Sequence, residues 1–230
     1  VGVQTKRGCP HNCCFCVYGV VEGKKVRVNP VNEIIEEMKQ LYEMGVRGFW
    51  FTDAQFIPTK NHIQDAKLLL QAIKDQGWTD LKWAAYIRAD NIDRELAQLM
   101  VETGMSYFEI GITSGSQELV RKMQLAYNLK TVLENCRLLV EAGFRNHVSV
   151  NYSFNVFDET PNTIKQTIAY HRELENIFGK GLVDPAIFFI GLQPHTLLEK
   201  YAIENNILKP SYNPMSMMPW TARKLLWNPG

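Results

Sequence analysis

Four of the chain's five cysteines lie close together near its start, at Cys9, Cys13, Cys14 and Cys16. Cys9, Cys13 and Cys16 form a Cys-x-x-x-Cys-x-x-Cys pattern, and three thiolates this close in sequence can bind three corners of a cubane iron–sulfur cluster. The fourth iron is then left without a cysteine and can bind a small chelating ligand. A cluster with four cysteine ligands is closed and suits electron transfer. The spacing therefore predicts a cluster with one open iron.

A structural zinc site is the alternative for these cysteines, with Cys14 or His11 completing the ligand set. Closed zinc sites usually pair two short Cys-x-x-Cys segments across a longer stretch, and the sequence has no second one. Cys14 is otherwise expected to face away from the cluster, and Cys136 to be a core thiol. The clustering differs from the spread cysteines of secreted disulfide-bonded domains, so a cytoplasmic location is expected.

The composition is that of an ordinary soluble globular chain of 230 residues, with 46% hydrophobic and 21% charged residues. The 25 Lys and Arg residues nearly balance the 24 Asp and Glu residues, which argues against a nucleic-acid surface. The longest apolar runs are far too short to span a membrane, and no signal peptide opens the chain. We expect both ends to be cuts through a longer polypeptide.

Apolar runs alternate with stretches of helical periodicity along the chain. Strands are predicted at residues 2–6, 47–53, 81–88, 106–112, 147–155 and 186–192. Helices are predicted at residues 31–44, 62–75, 92–103, 129–141 and 160–178, with one more from 196. Asn29 and Thr160 each precede a proline and are expected N-caps, and Thr196 with Glu199 forms an expected capping box.

Six strand–helix units predict an α/β fold with a parallel sheet. Six are too few for a closed eight-fold barrel, so we expect an open partial (β/α)6 TIM-like barrel of parallel strands over residues 1–208. Residues 209–230 are expected to start a separate C-terminal segment. Ligands of such folds bind at the carboxyl ends of the strands. Polar residues follow each predicted strand at 9–16, 53–55, 88–90, 113–116, 155–160 and 193–196.

The cysteine loop, with Phe15 before its last cysteine and a strand before it, resembles the signature of the radical S-adenosylmethionine (radical SAM) enzymes. Further stretches resemble the cobalamin-associated branch of that superfamily. They read Phe-Thr-Asp-Ala-Gln-Phe at 51–56, Ile-Arg-Ala-Asp-Asn-Ile-Asp at 87–93, Gly-Ile-Thr-Ser-Gly-Ser-Gln-Glu at 111–118, Phe-Asn-Val-Phe-Asp-Glu-Thr at 154–160 and Gln-Pro-His-Thr-Leu-Leu-Glu at 193–199. The resemblance extends from residue 3 to about residue 208.

The resemblance implies a [4Fe–4S] cluster on Cys9, Cys13 and Cys16, with SAM chelating the open iron. One electron would cleave SAM to methionine and a 5′-deoxyadenosyl radical, which abstracts hydrogen from a small organic substrate. The branch implies methylation of an unactivated carbon, with methylcobalamin bound by a domain upstream of this chain. A flavodoxin or ferredoxin is the expected electron donor. The alternatives are radical oxidation, hydroxylation or cyclisation of a tetrapyrrole-like substrate, or a non-catalytic iron–sulfur protein.

The resemblance also implies which residues contact SAM. The Phe15 backbone would lie near the adenine, the Asp53 carboxylate would meet the SAM amino group, and Arg88 would pair with its carboxylate through bidentate bonds. Thr113 and Ser114 would face the ribose hydroxyls. Asn151 or Asn155 would add a polar contact.

Alternatives and departures from the family pattern leave these roles open. A salt bridge at the barrel rim is the alternative for Arg88, and an N-cap or surface position is the alternative for Asp53. Ser114 and Ser116 have the further alternative of capping the following helix. Thr113 stands where the family usually has glutamate, and His195 where it usually has glycine.

Overall fold

The computed structural model describes residues 1–156 and 158–213. The expected C-terminal segment therefore lies outside the described residues from residue 214 onward, and the division of the chain near residue 208 stays a prediction. No helix among the described residues has both the length and the apolar character that a bilayer crossing requires.

A six-stranded parallel sheet forms the frame of the molecule. Its strands, in spatial order, are β1 (Gly2–Val3), β4 (Gly48–Phe51), β5 (Lys82–Tyr86), β6 (Met105–Thr113), β7 (Val148–Phe154) and β8 (Val183–Phe189). A separate antiparallel pair joins β2 (Lys6–Arg7) to β3 (Arg27–Val28). The order runs from β1 to β8 without closing, which confirms the predicted open partial barrel.

The described residues form eight α-helices, most of which connect successive parallel strands. They are α1 (Tyr18–Val21), α2 (Val31–Glu43), α3 (Ile63–Asp75), α4 (Arg94–Glu102), α5 (Gln117–Lys122), α6 (Leu129–Glu141), α7 (Pro161–Phe178) and α8 (Leu197–Glu204). The six predicted helices are all present. The short helices α1 and α5 and the β2–β3 pair were not predicted, because segments this short show no periodicity.

The helix starts follow the capping rules in part. Thr160 caps α7 in a reciprocal box with Thr163, as predicted. The Asn29 prediction is wrong: Pro30 is the N-cap residue, and the Asn29 side chain donates to the Gln4 carbonyl instead, at 2.8 Å. At α8, Thr196 accepts from the Glu199 amide, but the Glu199 carboxylate accepts from the His195 amide, so the predicted box is only half formed.

The two faces of the sheet have different environments, because side chains alternate along each strand. The face under the helices carries the core, where Phe51 and Trp83 pack with ring centroids 5.2 Å apart and are fully buried. The opposite, concave face carries half-buried side chains such as Trp50 and Tyr86, whose rings meet edge to face at 5.9 Å. The concave face leads to the cavity described next.

Candidate functional site

A cavity of about 540 Å³ opens at the carboxyl edge of the sheet. Its walls come from the cysteine loop and from the ends of β4, β5, β6, β7 and β8, so every strand end contributes to one site. Of the residues singled out from the sequence, the structure brings together Cys9, Cys13, Cys16, Phe15, Arg88, Thr113 and Asn151. Asp53 and Ser114 are not among the lining residues.

The four clustered cysteines divide into two environments. Cys9, Cys13 and Cys16 are half-buried and line the cavity. Cys14 is buried in the hydrophobic core, where its amide donates to the Met123 carbonyl at 3.0 Å and its carbonyl accepts from the Leu198 amide at 2.8 Å. The loop therefore presents three thiols to the cavity and directs the fourth away. Cys136 is fully buried, as expected for a core thiol.

The three thiols affect one another electrostatically. Burial, followed by the charges of Cys16 and Cys9, raises the pKa of Cys13 to about 12. Burial and the Cys16 charge also raise the pKa of Cys9. Metal cations favour the thiolate form, and a set of three soft sulfur donors suits an iron–sulfur cluster. The donor set thus fits the predicted cluster. Among the described residues, no group of three His, Cys, Asp or Glu side chains is placed to hold a single metal ion.

The β2–β3 pair and the turn before β3 hold the start of the cysteine loop in place. Gly8 has φ +98°, and a Cβ there would lie 2.3 Å from the Lys25 carbonyl oxygen, so the position requires glycine. The Gly8 amide donates to the Glu22 carboxylate at 3.1 Å, and the Cys9 amide donates to the Gly23 carbonyl at 3.0 Å. These contacts fix the direction in which Cys9 enters the cavity.

Asp53 is buried beside the cavity rather than in it. Its carboxylate accepts from the Thr5 amide at 2.8 Å, the Lys6 amide at 3.0 Å and the Lys6 Nζ at 2.9 Å, and also from the Thr5 hydroxyl. Both members of the ion pair are almost inaccessible, with side-chain exposures of 1% for Asp53 and 3% for Lys6. The arrangement ties the end of β4 to the segment that leads into the cysteine loop. Contact between Asp53 and the SAM amino group stays a prediction.

Arg88 lines the cavity with its guanidinium already engaged. Its Nε and Nη2 atoms form a bidentate ion pair with Asp90 at 3.0 and 2.6 Å, and Nη2 also donates to the Ala126 carbonyl. Nη1 lies 2.8 Å from His11 Nε2. Burial and the Arg88 charge lower the pKa of His11. The salt bridge considered as an alternative for Arg88 is thus present, and it orients the guanidinium toward the cysteine loop.

The ends of β6 and β7 present the remaining predicted residues differently. Thr113 has φ +59° and lies at a register shift in the β6–β7 pairing, which places it in the cavity wall. Ser114 is buried: its Oγ accepts from the Ser116 amide at 3.1 Å and contacts Thr167 of α7 at 3.4 Å. Ser116 is the N-cap residue of α5 but makes no side-chain capping bond. The predicted ribose contact of Ser114 stays a prediction.

Several cavity residues were missed by inspection of the strand ends. Tyr86 and Tyr127 line the cavity, and the Tyr127 hydroxyl donates to the Ile112 carbonyl. Glu109 lies adjacent to them on β6. Tyr86 and Glu109 lie within predicted strands, so a search limited to the residues after each strand does not find them. The period-two alternation that places Glu109 on one face with Gly111 is the signal that would have identified them.

Comparison with known proteins identifies the family. The family model described as the radical SAM superfamily matches residues 3–170. An uncharacterized methyltransferase of Pyrococcus horikoshii is 30% identical over 208 residues, which are 90% of this chain and 42% of that protein. A threonylcarbamoyladenosine tRNA methylthiotransferase of Rickettsia prowazekii is 29% identical over 143 residues, 60% of this chain and 34% of that protein.

Solved structures show the same fold. The radical SAM methyltransferase TsrM of Kitasatospora setae, with cobalamin and a [4Fe–4S] cluster bound, matches with a TM-score of 0.76 at 22% identity, over 89% of this chain and 36% of that chain. This chain spans less than half the length of the curated relatives named above. The family match covers well over half of the chain and includes all three cavity cysteines. The chain therefore belongs to the radical SAM superfamily.

Proposed function

We propose that this chain is the catalytic core of a radical SAM enzyme that methylates an unactivated carbon of a small organic substrate. One observation carries the proposal: Cys9, Cys13 and Cys16 line a single cavity, whereas Cys14 lies in the core. These three thiols would hold a [4Fe–4S] cluster. When bound, that cluster supplies the electron that splits SAM into methionine and a 5′-deoxyadenosyl radical, the species that abstracts hydrogen from the substrate.

The side chains around the three thiols would bind and orient SAM. Asp90 occupies Nε and Nη2 of Arg88, and His11 lies 2.8 Å from Nη1. We therefore assign the SAM carboxylate a single contact at Nη1 in place of His11, rather than the bidentate pairing that the resemblance implies. The Phe15 backbone is assigned to the adenine, and Thr113 to the ribose. Asn151 is assigned a polar contact from the opposite wall. Asp53 and Ser114 are not among the residues that line the cavity, and their contacts with the SAM amino group and ribose are parts of the same proposal.

The cavity has the size of a small-molecule site. Its volume of about 540 Å³ lies within the range of roughly 300–1,000 Å³ that is typical of such sites. Phe188, Phe189, Ile190, Leu125 and Tyr127 contribute apolar surface to its lining, and Phe188 and Phe189 are also exposed to solvent. This surface would contact the apolar parts of SAM or of the substrate.

The methyl donor and the partners are parts of the same proposal. The methyltransferase name of the Pyrococcus relative and the cobalamin bound to TsrM support methylcobalamin as the donor, bound by a part of the protein outside this chain. A flavodoxin or ferredoxin would deliver the electron in the cytoplasm. The net charge of +1 favours a small molecule over a nucleic acid as substrate.

The test is SAM cleavage by anaerobically reconstituted protein with dithionite as reductant. Release of 5′-deoxyadenosine and methionine is followed by chromatography for the wild type, Cys13→Ala and the matched control Cys14→Ala. We expect both products from the wild type and from Cys14→Ala, and neither from Cys13→Ala. Wild-type protein with a full cluster that releases no 5′-deoxyadenosine, or equal release from Cys13→Ala, would overturn the proposal.

A further inference from the structure

Three neighbouring strands bring a group of polar side chains together below the cavity mouth. Tyr86 of β5 lies opposite Glu109 of β6, and Asn151 of β7 lies opposite Gly111, two residues after Glu109 and on the same face. We call Tyr86, Glu109 and Asn151 the floor cluster. Tyr86 and Asn151 line the cavity directly, and Glu109 lies next to them, deeper along its strand.

Glu109 is hydrogen-bonded to neutral side chains only, and its contacts with Asn151 and Tyr107 are long. Asn151 Nδ2 donates to Glu109 Oε2 at 3.3 Å, and the Tyr107 hydroxyl donates to Glu109 Oε1 at 3.4 Å. Burial, together with a hydrogen bond to Glu109 and its charge, raises the pKa of Tyr86 to about 12. An ionised carboxylate has about four lone-pair sites, so these neutral partners leave room for a further donor.

Glu109 also lacks a cation. The neighbouring acids Asp53 and Asp90 each form an ion pair, with Lys6 and Arg88. Within residues 1–156 and 158–213, no ion pair includes Glu109. A half-buried negative charge surrounded by neutral groups attracts a positive ligand.

Two further acceptors at the cavity are also unsatisfied. Asn151 Oδ1 and Gln55 Oε1 are buried and have no hydrogen-bond partner among the described residues. Both belong to residues that line the cavity. A buried acceptor without a donor costs about 1–3 kcal/mol, so a ligand that supplies N–H groups here is favoured over one that supplies only acceptors.

We infer that the substrate carries a protonated amine, which docks against the Glu109 carboxylate while a second donor of the same molecule reaches Gln55. An ammonium group has three donors and no acceptor, which matches the unsatisfied groups of this wall. Phe188 and Phe189 of β8, the strand next to the one that carries Asn151, also line the cavity and suit an apolar body attached to the amine. The inference rests on the proposed function for the identity of the cavity as the substrate site.

The experiment compares three probes of equal size: benzylammonium, benzyl alcohol and benzoate. Their dissociation constants for the cluster-loaded chain are measured by ligand-observed NMR titration. We expect benzylammonium to bind at least tenfold more tightly than either other probe. Glu109→Gln should abolish this preference, and the control Glu118→Gln, an exposed acid on α5 with 66% side-chain exposure, should retain it.

Three results would overturn the inference. They are equal binding of the three probes, retention of the preference in Glu109→Gln, and displacement of benzylammonium by SAM, which would assign the ammonium site to the SAM amino group. If Glu109→Gln does not fold, Glu109→Asp provides the second arm: it keeps the carboxylate, so the preference for benzylammonium over benzyl alcohol and benzoate should remain, and loss of the preference would count against the site.

The same samples separate this inference from the proposed function. The wild type and the control Glu118→Gln are also assayed for release of 5′-deoxyadenosine from SAM and dithionite without substrate, and the two should release it equally. Selective ammonium binding by a wild-type protein that cleaves no SAM would refute the radical function and leave the ammonium site intact. SAM cleavage without ammonium selectivity would refute only the site.

Discussion

Charge removal at Asp53 should destabilise the chain strongly, because Asp53→Asn leaves the Lys6 ammonium buried without its counter-ion. The two side chains are 1% and 3% exposed and their charged atoms are 2.9 Å apart. Removing one partner of a buried pair costs about 3–5 kcal/mol. Asparagine keeps an oxygen for the Thr5 and Lys6 amides, so we expect the lower end, about 3 kcal/mol.

A double-mutant cycle isolates the charge interaction. In a Lys6→Met background, the Asp53 carboxylate is itself buried without a counter-ion, so Asp53→Asn removes a stranded charge and should cost about 0 kcal/mol. The coupling free energy is then about 3 kcal/mol, at the upper end of the range found for contacting residues. Guanidinium unfolding under reducing, anaerobic conditions, followed by tryptophan fluorescence, gives each free energy of unfolding.

The exposed pair of Asp80 and Arg47, with side-chain exposures of 57% and 41%, supplies the control. Asp80→Asn should change the unfolding free energy by less than about 1 kcal/mol. An Asp53→Asn cost no larger than this, or a coupling near zero, would refute the anchoring role. The same variant tests the SAM contact that the family resemblance implies: that contact requires weaker SAM binding, whereas anchoring alone leaves the affinity of the folded protein unchanged.

Three further predictions follow from the geometry. Cys9→Ala, Cys13→Ala and Cys16→Ala should each lose the cluster absorbance and bound iron, whereas Cys14→Ala should keep both, because Cys14 is buried in the core; iron and sulfide analysis checks this, and equal loss from Cys14→Ala would contradict it. Gly115→Ala places a Cβ 2.5 Å from Thr167 Cα and should lower the free energy of unfolding by about 1–3 kcal/mol. Gly48→Ala is the control, because a Cβ there has nothing within 4 Å. Equal losses in the two variants would refute the close packing of α7 against Gly115. The pKa of Tyr86 is raised to about 12 from a usual 10.0, so its contribution to stability is present below pH 10 and lost as pH rises through about 12. The free energy of unfolding of the wild type should therefore fall more over this interval than that of Tyr86→Phe. Parallel pH profiles of the two proteins would argue against the raised pKa.

The barrel could be predicted from the sequence because the patterns that indicate strands and helices are local. Six apolar runs separated by helical periodicity determine a parallel sheet almost without knowledge of tertiary contacts. The three cluster ligands in the cysteine loop could likewise be predicted, because Cys9, Cys13 and Cys16 lie within one short segment.

The parts that the sequence did not predict depend on contacts between distant residues. The environment of Asp53 is set by Lys6, 47 residues away, and nothing in the local pattern of either residue indicates the pair. The burial of Ser114 depends on Thr167 of α7. Glu109 gains significance only when β5 and β7 place Tyr86 and Asn151 beside it.

The central claim is that three thiols hold a cluster whose remaining iron binds SAM. Electron paramagnetic resonance of the anaerobically reconstituted, dithionite-reduced chain, recorded with and without SAM, tests it most directly. The account predicts a cluster signal whose g values shift on addition of SAM in the wild type and in Cys14→Ala, and no such signal in Cys13→Ala. A wild-type protein that contains iron but whose reduced spectrum does not change when SAM is added would contradict the claim.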